Sequence, residues 1–400
     1  MKLGIIKEGK TPPDMRVPLS PAQCKLAQNT FTGLEVMVQK SPIRIFQDDA
    51  YVELGLTVTE DVSACDVLMG VKEVPIEQLI PSKTYFFFSH TIKEQPYNRK
   101  LLQAILAKNI RLIDWETLTD KESRRILGFG KYAGIVGTYN GFRAWGKRYG
   151  TFELKPAHAC LDRVEMESEY KKIHLPAIKI ALTGKGRVAS GAIEVLNDLN
   201  IQQVSVEDYL SKTFNHPVYA QFGVEDYNKR KDGQPATQDD FFQNFHEYES
   251  AFMKIAEVTD LFIAGHFYAE GSPYLFTRED AKKAEFKIKV VADISCDIDG
   301  PVASTIKPST IENPIYGYDP KTETEADFQQ DDVITVMAVD NLPCELPKDA
   351  SEDFGKEVLN QVLPQFFNGD KDEILERATM TKDGKLTPKY AYLQDYVDGK

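Results

Sequence analysis

The stretch Ile178-Lys179-Ile180-Ala181-Leu182-Thr183-Gly184-Lys185-Gly186-Arg187-Val188-Ala189-Ser190-Gly191-Ala192 decides the fold. An alternating apolar run halts at two glycines, and small residues then open a helix. This is the form of a dinucleotide-binding turn, G-x-G-x-x-A. Gly184 takes the backbone angles of a tight turn, and Gly186 carries no side chain to block a pyrophosphate. Ala189 and Gly191 allow the helix to lie close to a sheet. A helix from Ala189 to Leu196 is expected, its N-terminus offering N–H groups and partial positive charge to phosphates, with Arg187, Val188 and Ala189 as cofactor-binding residues. A glycine pattern alone also fits an ordinary strand-turn-helix, so the next strand matters. Gln203 to Val206 reads as a strand ending at Glu207, about twenty residues after the first glycine, where a carboxylate accepts hydrogen bonds from an adenosine ribose.

The rest of the chain narrows the class. Its 400 residues fill two or three domains. The net charge of −13 argues against a nucleic-acid or anionic-membrane surface. Cys24, Cys65, Cys160, Cys296 and Cys344 are scattered and odd in number, with no CxxC pair. Neither a metal site nor a disulfide framework is expected, and reduced thiols fit a cytosol. The N-terminus regains charge at Lys7 and Glu8, too soon for a signal peptide, and no run is long enough to span a membrane.

Strands and helices alternate before the glycine turn. Strands read at Leu3 to Ile6, Leu34 to Gln39, Val67 to Val71, Thr84 to Phe88 and Ile110 to Asp114. Ser20 is a good N-cap and Pro21 a good first residue for a helix to Gln28. The pattern is that of an α/β domain with a largely parallel sheet. Arg16 lies in the turn before that helix. Lys72, Glu73, His90 and Glu116 follow the carboxyl ends of strands, the edge where open α/β sheets bind ligands. The small-residue run from Phe129 to Gly137 changes character, and Tyr139 to Arg148 reads as a helix leading out of the first domain. After the turn, Ser211 to Met253 reads as a surface insertion with an amphipathic helix from Asp239 to Ala256. Strands follow at Leu261 to Ala264, Lys289 to Ile294 and Val333 to Val339. Ser351 to Phe367 reads as a helix returning to the first domain, and Thr387 to Val397 as a last hairpin or helix. Two Rossmann-like α/β domains with flanked parallel sheets and a cleft between them are expected. Residues 1–130 with 345–400 form the substrate domain, and 150–344 the dinucleotide domain, with the insertion near 211–253.

Several stretches carry a resemblance. They are Val71-Lys72-Glu73-Val74-Pro75, Phe87-Phe88-Ser89-His90-Thr91-Ile92-Lys93, Arg111-Leu112-Ile113-Asp114-Trp115-Glu116 and Arg124-Arg125-Ile126-Leu127-Gly128-Phe129-Gly130. Val291 to Asp297 and Val339-Asp340-Asn341-Leu342-Pro343 continue them. The chain resembles lysine-forming saccharopine dehydrogenases and the related lysine–ketoglutarate reductase module, within the alanine dehydrogenase and transhydrogenase superfamily. The resemblance implies reversible conversion of saccharopine and oxidised nicotinamide nucleotide to lysine, 2-oxoglutarate and reduced nucleotide. It implies Lys72 and His90 as bases. Arg16 and Arg125, with Lys93 nearby, would grip substrate carboxylates, and Glu73 and Glu116 would tune the bases or meet the amine. Asp293 would lie near the nicotinamide, with Asp340 and Leu342 as further nucleotide contacts.

The chemistry fits those residue types. A secondary amine must lose its proton before hydride leaves, and the imine then needs activated water, so two groups titrating near neutrality suit the cycle. Guanidinium forks suit the three carboxylates of saccharopine. Glu207 favours NAD because a carboxylate repels a 2′-phosphate, while the reductase modules are commonly NADP-linked, which keeps NADP open. Lysine and histidine at these positions also occur in alanine dehydrogenases. An alanine dehydrogenase-like enzyme and a non-catalytic nucleotide-binding protein therefore stand as alternatives.

Overall fold

The computed structural model describes all 400 residues, Met1 to Lys400. The chain forms two compact units: Met1–Phe129 with Pro347–Lys400, and Gly130–Leu346. No helix is long and apolar enough to cross a membrane.

The first unit is built on β1 (Lys2–Ile5), β2 (Glu35–Gln39), β3 (Thr57–Thr59), β4 (Val67–Met69), β5 (Thr84–Phe87) and β6 (Arg111–Asp114). They lie in the order β3-β2-β1-β4-β5-β6, all parallel. Thr379–Lys382 adds antiparallel to β6, and Lys385–Leu386 pairs beyond it. A parallel sheet buries both faces, which is why Tyr85, Phe86 and Phe87 run consecutively without exposure. Phe86 packs with Leu3, Met69, Trp115 and Phe354 on one face. Tyr85 and Phe87 pack with Leu101, Ile105 and Met380 on the other. Each such aromatic contributes roughly 2 kcal/mol by burial. Ser20 and Gln23 form a reciprocal capping box that starts the helix Pro21–Thr30. The strand order reverses between β1 and β4. The loops after these two strands are therefore neighbours at the carboxyl edge, where such sheets take ligands.

The second unit opens with the long helix Gly130–Tyr149. Its strands are β7 (Lys179–Thr183), β8 (Gln202–Gln203), β9 (Val218–Phe222), β10 (Asn228–Arg230), β11 (Tyr248–Ser250), β12 (Leu261–Ala264), β13 (Val290–Asp293), β14 (Ile315–Asp319), β15 (Thr324–Ala326) and β16 (Ile334–Met337). The main sheet runs β15-β14-β16-β13-β12-β7-β9-β8, with β14 antiparallel to both its neighbours, β15 and β16, and every other pair parallel. β10 and β11 form a separate antiparallel pair.

Several sequence expectations differ from this structure. The helix expected from Tyr139 begins at Gly130 and belongs to the second unit. Its glycines are contact points rather than breaks. A Cβ at Gly134 would stand 1.9 Å from the Val188 carbonyl oxygen, and one at Gly191 2.0 Å from that of Lys131. Gly191 thus serves the approach of two helices, Gly130–Tyr149 and Arg187–Asp198, rather than that of a helix to the sheet. The supposed surface insertion contains β9, which pairs directly with β7 in the middle of the unit. Its long amphipathic helix is divided into Gln238–Asn244, a turn at Phe245–Glu247, β11 and Met253–Ala256. The division lets Phe241, Tyr248 and Phe252 all enter the core. The returning helix is similarly segmented, as Pro347–Glu357, a wider turn Val358–Val362, and Gln365–Asn368.

Candidate functional site

In the first unit, the loop after β1 reaches across to the turn after β4. The Glu8 carboxylate accepts from the backbone N–H of Val71 at 2.6 Å and of Lys72 at 2.8 Å. Lys10 Nζ meets both oxygens of Glu73, at 2.9 and 2.8 Å. Glu73 Oε1 in turn lies 2.6 Å from His90 Nδ1. His90 follows β5 in a left-handed conformation, φ 53°, an uncommon state for a non-glycine residue and frequent at functional sites. Buried Asp114, closing β6, holds this edge in place. Its Oδ2 accepts from Ser89 N at 2.7 Å and from Ser89 Oγ, and its Oδ1 from Glu116 N at 2.7 Å. One carboxylate thereby sets the residues next to His90 and at Glu116.

The charges around this edge are organised in two groups. Burial pushes the Glu73 carboxyl up, but hydrogen bonds from His90 and Lys10 outweigh it and hold the group down to about 2. Glu73 is therefore ionised at neutral pH and accepts a hydrogen bond from Nδ1–H of His90, the tautomer that leaves Nε2 with the lone pair. Burial also pushes Asp14 up, and Arg16 overcomes this and lowers it, with Lys72 near enough to assist. Burial and Asp14 push Glu8 up to about 8. The second group centres on Glu116, whose Oε1 lies 3.6 Å from Arg125 Nη1 and 3.8 Å from Lys93 Nζ. Arg125 also lies over the Phe88 ring, 5.6 Å from its centroid. Arg16 is only 3% exposed. Its fork grips Asp14 through Nε at 3.0 Å and Nη2 at 2.6 Å, and it covers the Phe129 ring at 4.2 Å. The edge of that fork is thus committed to the protein's own carboxylate.

In the second unit, Gly184 has φ +96°, and a Cβ there would stand 2.5 Å from the Gly265 oxygen. Both observations demand glycine. A Cβ at Gly186 would meet nothing within 4 Å, so the space before the helix Arg187–Asp198 is open. Open space before the free N–H groups of a 12-residue helix fits a dinucleotide pyrophosphate. Val188 and Ala189 complete the first turn, with Ala189 buried and Arg187 exposed. Glu207 requires a correction. The strand before it ends at Gln203, Ser205 caps a new helix, and Glu207 lies exposed in the first turn of Val206–Ser211. β8 is an edge strand, and the neighbour of β7 is β9. The acidic residues beyond the end of β9 are Glu225 and Asp226. Lys185, inside the glycine turn, forms an ion pair with Glu225. Asp226 bonds Gly223 N at 2.7 Å. Asp293 is fully buried and accepts from Ser295 Oγ at 2.6 Å, Cys296 N at 3.1 Å and Thr305 Oγ1 at 2.7 Å. It organises its own loop. Asp340 is exposed after β16, and Leu342 is buried at the start of the turn Leu342–Glu345.

Comparison with known proteins agrees with this architecture. Residues 4–136 match the family described as alanine dehydrogenase/PNT, N-terminal domain. The chain is 31% identical to alpha-aminoadipic semialdehyde synthase of Mus musculus, over 95% of this chain and 46% of that protein. It thus spans about half the length of that relative. It is 27% identical to the NAD(+), L-lysine-forming saccharopine dehydrogenase of Yarrowia lipolytica, over 83% of this chain and 84% of that one. An L-alanine dehydrogenase structure superposes with a TM-score of 0.67 at 17% identity, covering 100% of this chain and 99% of that one. The chain is thus similar to these dehydrogenases, and its residues 4–136 to the alanine dehydrogenase/PNT N-terminal domain. Its fold is the two-domain fold of alanine dehydrogenase.

The structure adds groups that sequence reading did not assign. Glu8, Lys10 and Asp14 lie on the β1 loop, and Asp114 lies beneath the edge. Asp14 stands two residues before Arg16 and was readable as a local partner. Glu8 and Lys10 were not, because their partners lie 63 or 64 residues away. Glu225 was masked by the assumption that the next strand in sequence is the next strand in the sheet.

Proposed function

We propose that the chain is a nicotinamide-dependent oxidoreductase of the saccharopine dehydrogenase type. In this reading the first unit handles the substrate and the second holds the nucleotide. Saccharopine, water and oxidised nucleotide give L-lysine, 2-oxoglutarate and reduced nucleotide, and the reaction runs in both directions. The observation that carries the reading is the Lys10–Glu73–His90 chain beside Lys72, at the switch point of the first sheet. It is an arrangement for moving protons.

In the oxidative direction a base removes the proton of the secondary ammonium, and hydride then leaves the adjacent carbon. Nicotinamide, when bound, accepts that hydride with its two electrons. The imine takes up water, whose proton passes to a base. The C–N bond of the carbinolamine breaks as its nitrogen receives a proton, which frees the lysine amine and the oxo acid. His90 through Nε2, and Lys72, share these transfers. Glu73 keeps His90 in the tautomer that can accept. Glu116 meets the amine, while Arg125, Lys93 and the remaining donors of Arg16 receive carboxylates. Gly184, Gly186, Arg187, Val188 and Ala189 hold the pyrophosphate, with Asp293, Asp340 and Leu342 bordering the nicotinamide end. Glu225, rather than Glu207, takes the ribose position, which favours NAD. Lys185 beside it offsets repulsion of a 2′-phosphate, which leaves NADP tolerated.

The test mixes purified chain with L-lysine, 2-oxoglutarate and NADH or NADPH and follows reduced-nucleotide absorbance. Loss of absorbance that requires both lysine and 2-oxoglutarate is expected. No loss with either nucleotide removes the substrate assignment. Turnover of pyruvate with ammonium instead would assign an alanine dehydrogenase-like activity.

A further inference from the structure

One carboxylate at the switch point has no part in the scheme above. β4 ends at Met69, and Lys72 stands three residues beyond it. The carbonyls of this segment are still held by their surroundings. Ile6 N donates to Met69 O at 3.0 Å, Phe88 N to Val71 O at 2.9 Å, and Trp115 Nε1 to Gly70 O at 2.8 Å. Gly70 N donates to Phe86 O at 2.9 Å. Past Ile6 the ladder between β1 and β4 stops, and a side chain takes its place. The two oxygens of Glu8 accept from Val71 N at 2.6 Å and from Lys72 N at 2.8 Å. A Cβ at Gly70 would stand 3.3 Å from Glu8 Oε1, so the glycine leaves the carboxylate its room.

One donor on each oxygen is the pattern of an ionised carboxylate. Protonation turns one oxygen into a hydroxyl, a poorer acceptor, and the hold on one of the two N–H groups weakens. The surroundings bring that change close to neutral pH. Burial and Asp14 push Glu8 up to about 8, against the two N–H bonds and Arg16. Asp14 and Arg16 face it from its own β1 loop, and Lys72, on the turn after β4, acts in turn on Asp14. Because the value is raised, the carboxyl takes up its proton as pH falls through about 8 and accepts fully from both N–H groups only above it.

We propose that Glu8 is a positioning residue for Lys72: its two oxygens clamp the turn that carries the base, and the rate follows the strength of that clamp. The inference rests on the reading of Lys72 as a base and adds a group that acts on it through the backbone.

The experiment compares kcat of the wild type, Glu8→Gln and Glu8→Ala over roughly pH 6 to 10, with lysine, 2-oxoglutarate and NADH saturating. Glutamine keeps one acceptor oxygen and so imitates the protonated carboxyl. Dividing the wild-type rate by the Gln rate removes the titration of Lys72 and His90, which both proteins share. The ratio should stay within about twofold below about pH 7 and rise to about tenfold above about pH 9, the size of one lost orienting bond. Glu8→Ala, with neither acceptor, should be slow at every pH. KM for NADH should be unchanged in both variants, since the nucleotide is held by the second unit. A merely structural role would lower stability and leave the ratio flat. Because the variants could fail to fold, the wild type labelled with 15N-valine and 15N-lysine provides a second readout. Its Val71 and Lys72 amide resonances should titrate together, with a midpoint of about 8. A flat ratio in a folded Glu8→Gln, or amide resonances that stay in place through that midpoint, overturns the inference while leaving turnover intact. A wild type that turns over neither lysine with 2-oxoglutarate nor pyruvate with ammonium overturns the reading of Lys72 as a base, and the inference with it.

Discussion

Glu73→Gln tests the proton-handling argument directly. The wild-type carboxyl is held from an ordinary 4.5 down to about 2. That drop corresponds to roughly 3 kcal/mol in favour of the ionised form, net of burial. Lys10 is about one-third exposed, so solvent screens its share. The loss of stability in the variant is therefore expected nearer 2 kcal/mol, by urea unfolding at pH 7. The sign follows from the lowered value. The stabilisation is fully present above 4.5 and is lost only as pH falls through about 2. The gap between wild type and variant should therefore be constant from neutral pH down to about 5 and close below it. For catalysis, glutamine either donates or accepts at Nδ1, so the tautomer of His90 is no longer fixed. The expected fall in kcat is about 10- to 100-fold, the usual cost of losing a group that orients another. Steady-state rates over roughly pH 6 to 9 check it. An unchanged kcat over that range, in a folded variant, would refute the role given to the Glu73–His90 bond.

Three further outcomes are expected. Asp114→Asn removes the anion that receives Ser89 and Glu116, and should cost about 1–3 kcal/mol in urea unfolding and lower kcat through misplacement of His90; equal stability and rate would contradict it. Gly134→Ala places a methyl group where only 1.9 Å separates it from the Val188 oxygen, so the two helices must part. A destabilisation of about 3 kcal/mol is expected by the same unfolding assay, and a change under ~0.5 would show that the contact yields freely. Glu225→Ala should weaken NADH about five- to tenfold and improve NADPH relative to it, measured by direct titration, because Lys185 is released toward a 2′-phosphate.

The features legible in the sequence were those with local signals. Gly184 stands out because a positive φ at a strand end demands glycine. Ser20 stands out because a cap and its partner are three residues apart. Lys72, His90 and Glu116 could be placed at strand ends because apolar runs stop just before them. Other features depend on which segments meet. Val218-Tyr219-Ala220-Gln221-Phe222 lies in a polar, charged stretch and became central only through pairing with β7. This single pairing is why the proposal above takes Glu225 rather than Glu207 as the ribose carboxylate. Gly134, Gly137 and Gly141 form the face on which the long helix packs, and a run of small residues does not by itself say what it packs against. The commitment of Arg16 to Asp14 could not be read from the arginine itself, since a guanidinium fork suits an internal carboxylate as well as a substrate.

The tight crossing of Gly134 and Gly191 has a mechanical consequence. Backbone lies on backbone there, with no side chain between to absorb a shift. The helices Gly130–Tyr149 and Arg187–Asp198 must then travel as one rigid lever. Gly130 is where the chain enters the second unit, and its Cβ position is 3.3 Å from that of Arg187. A displacement of either helix is therefore carried undamped to the glycine turn that precedes Arg187.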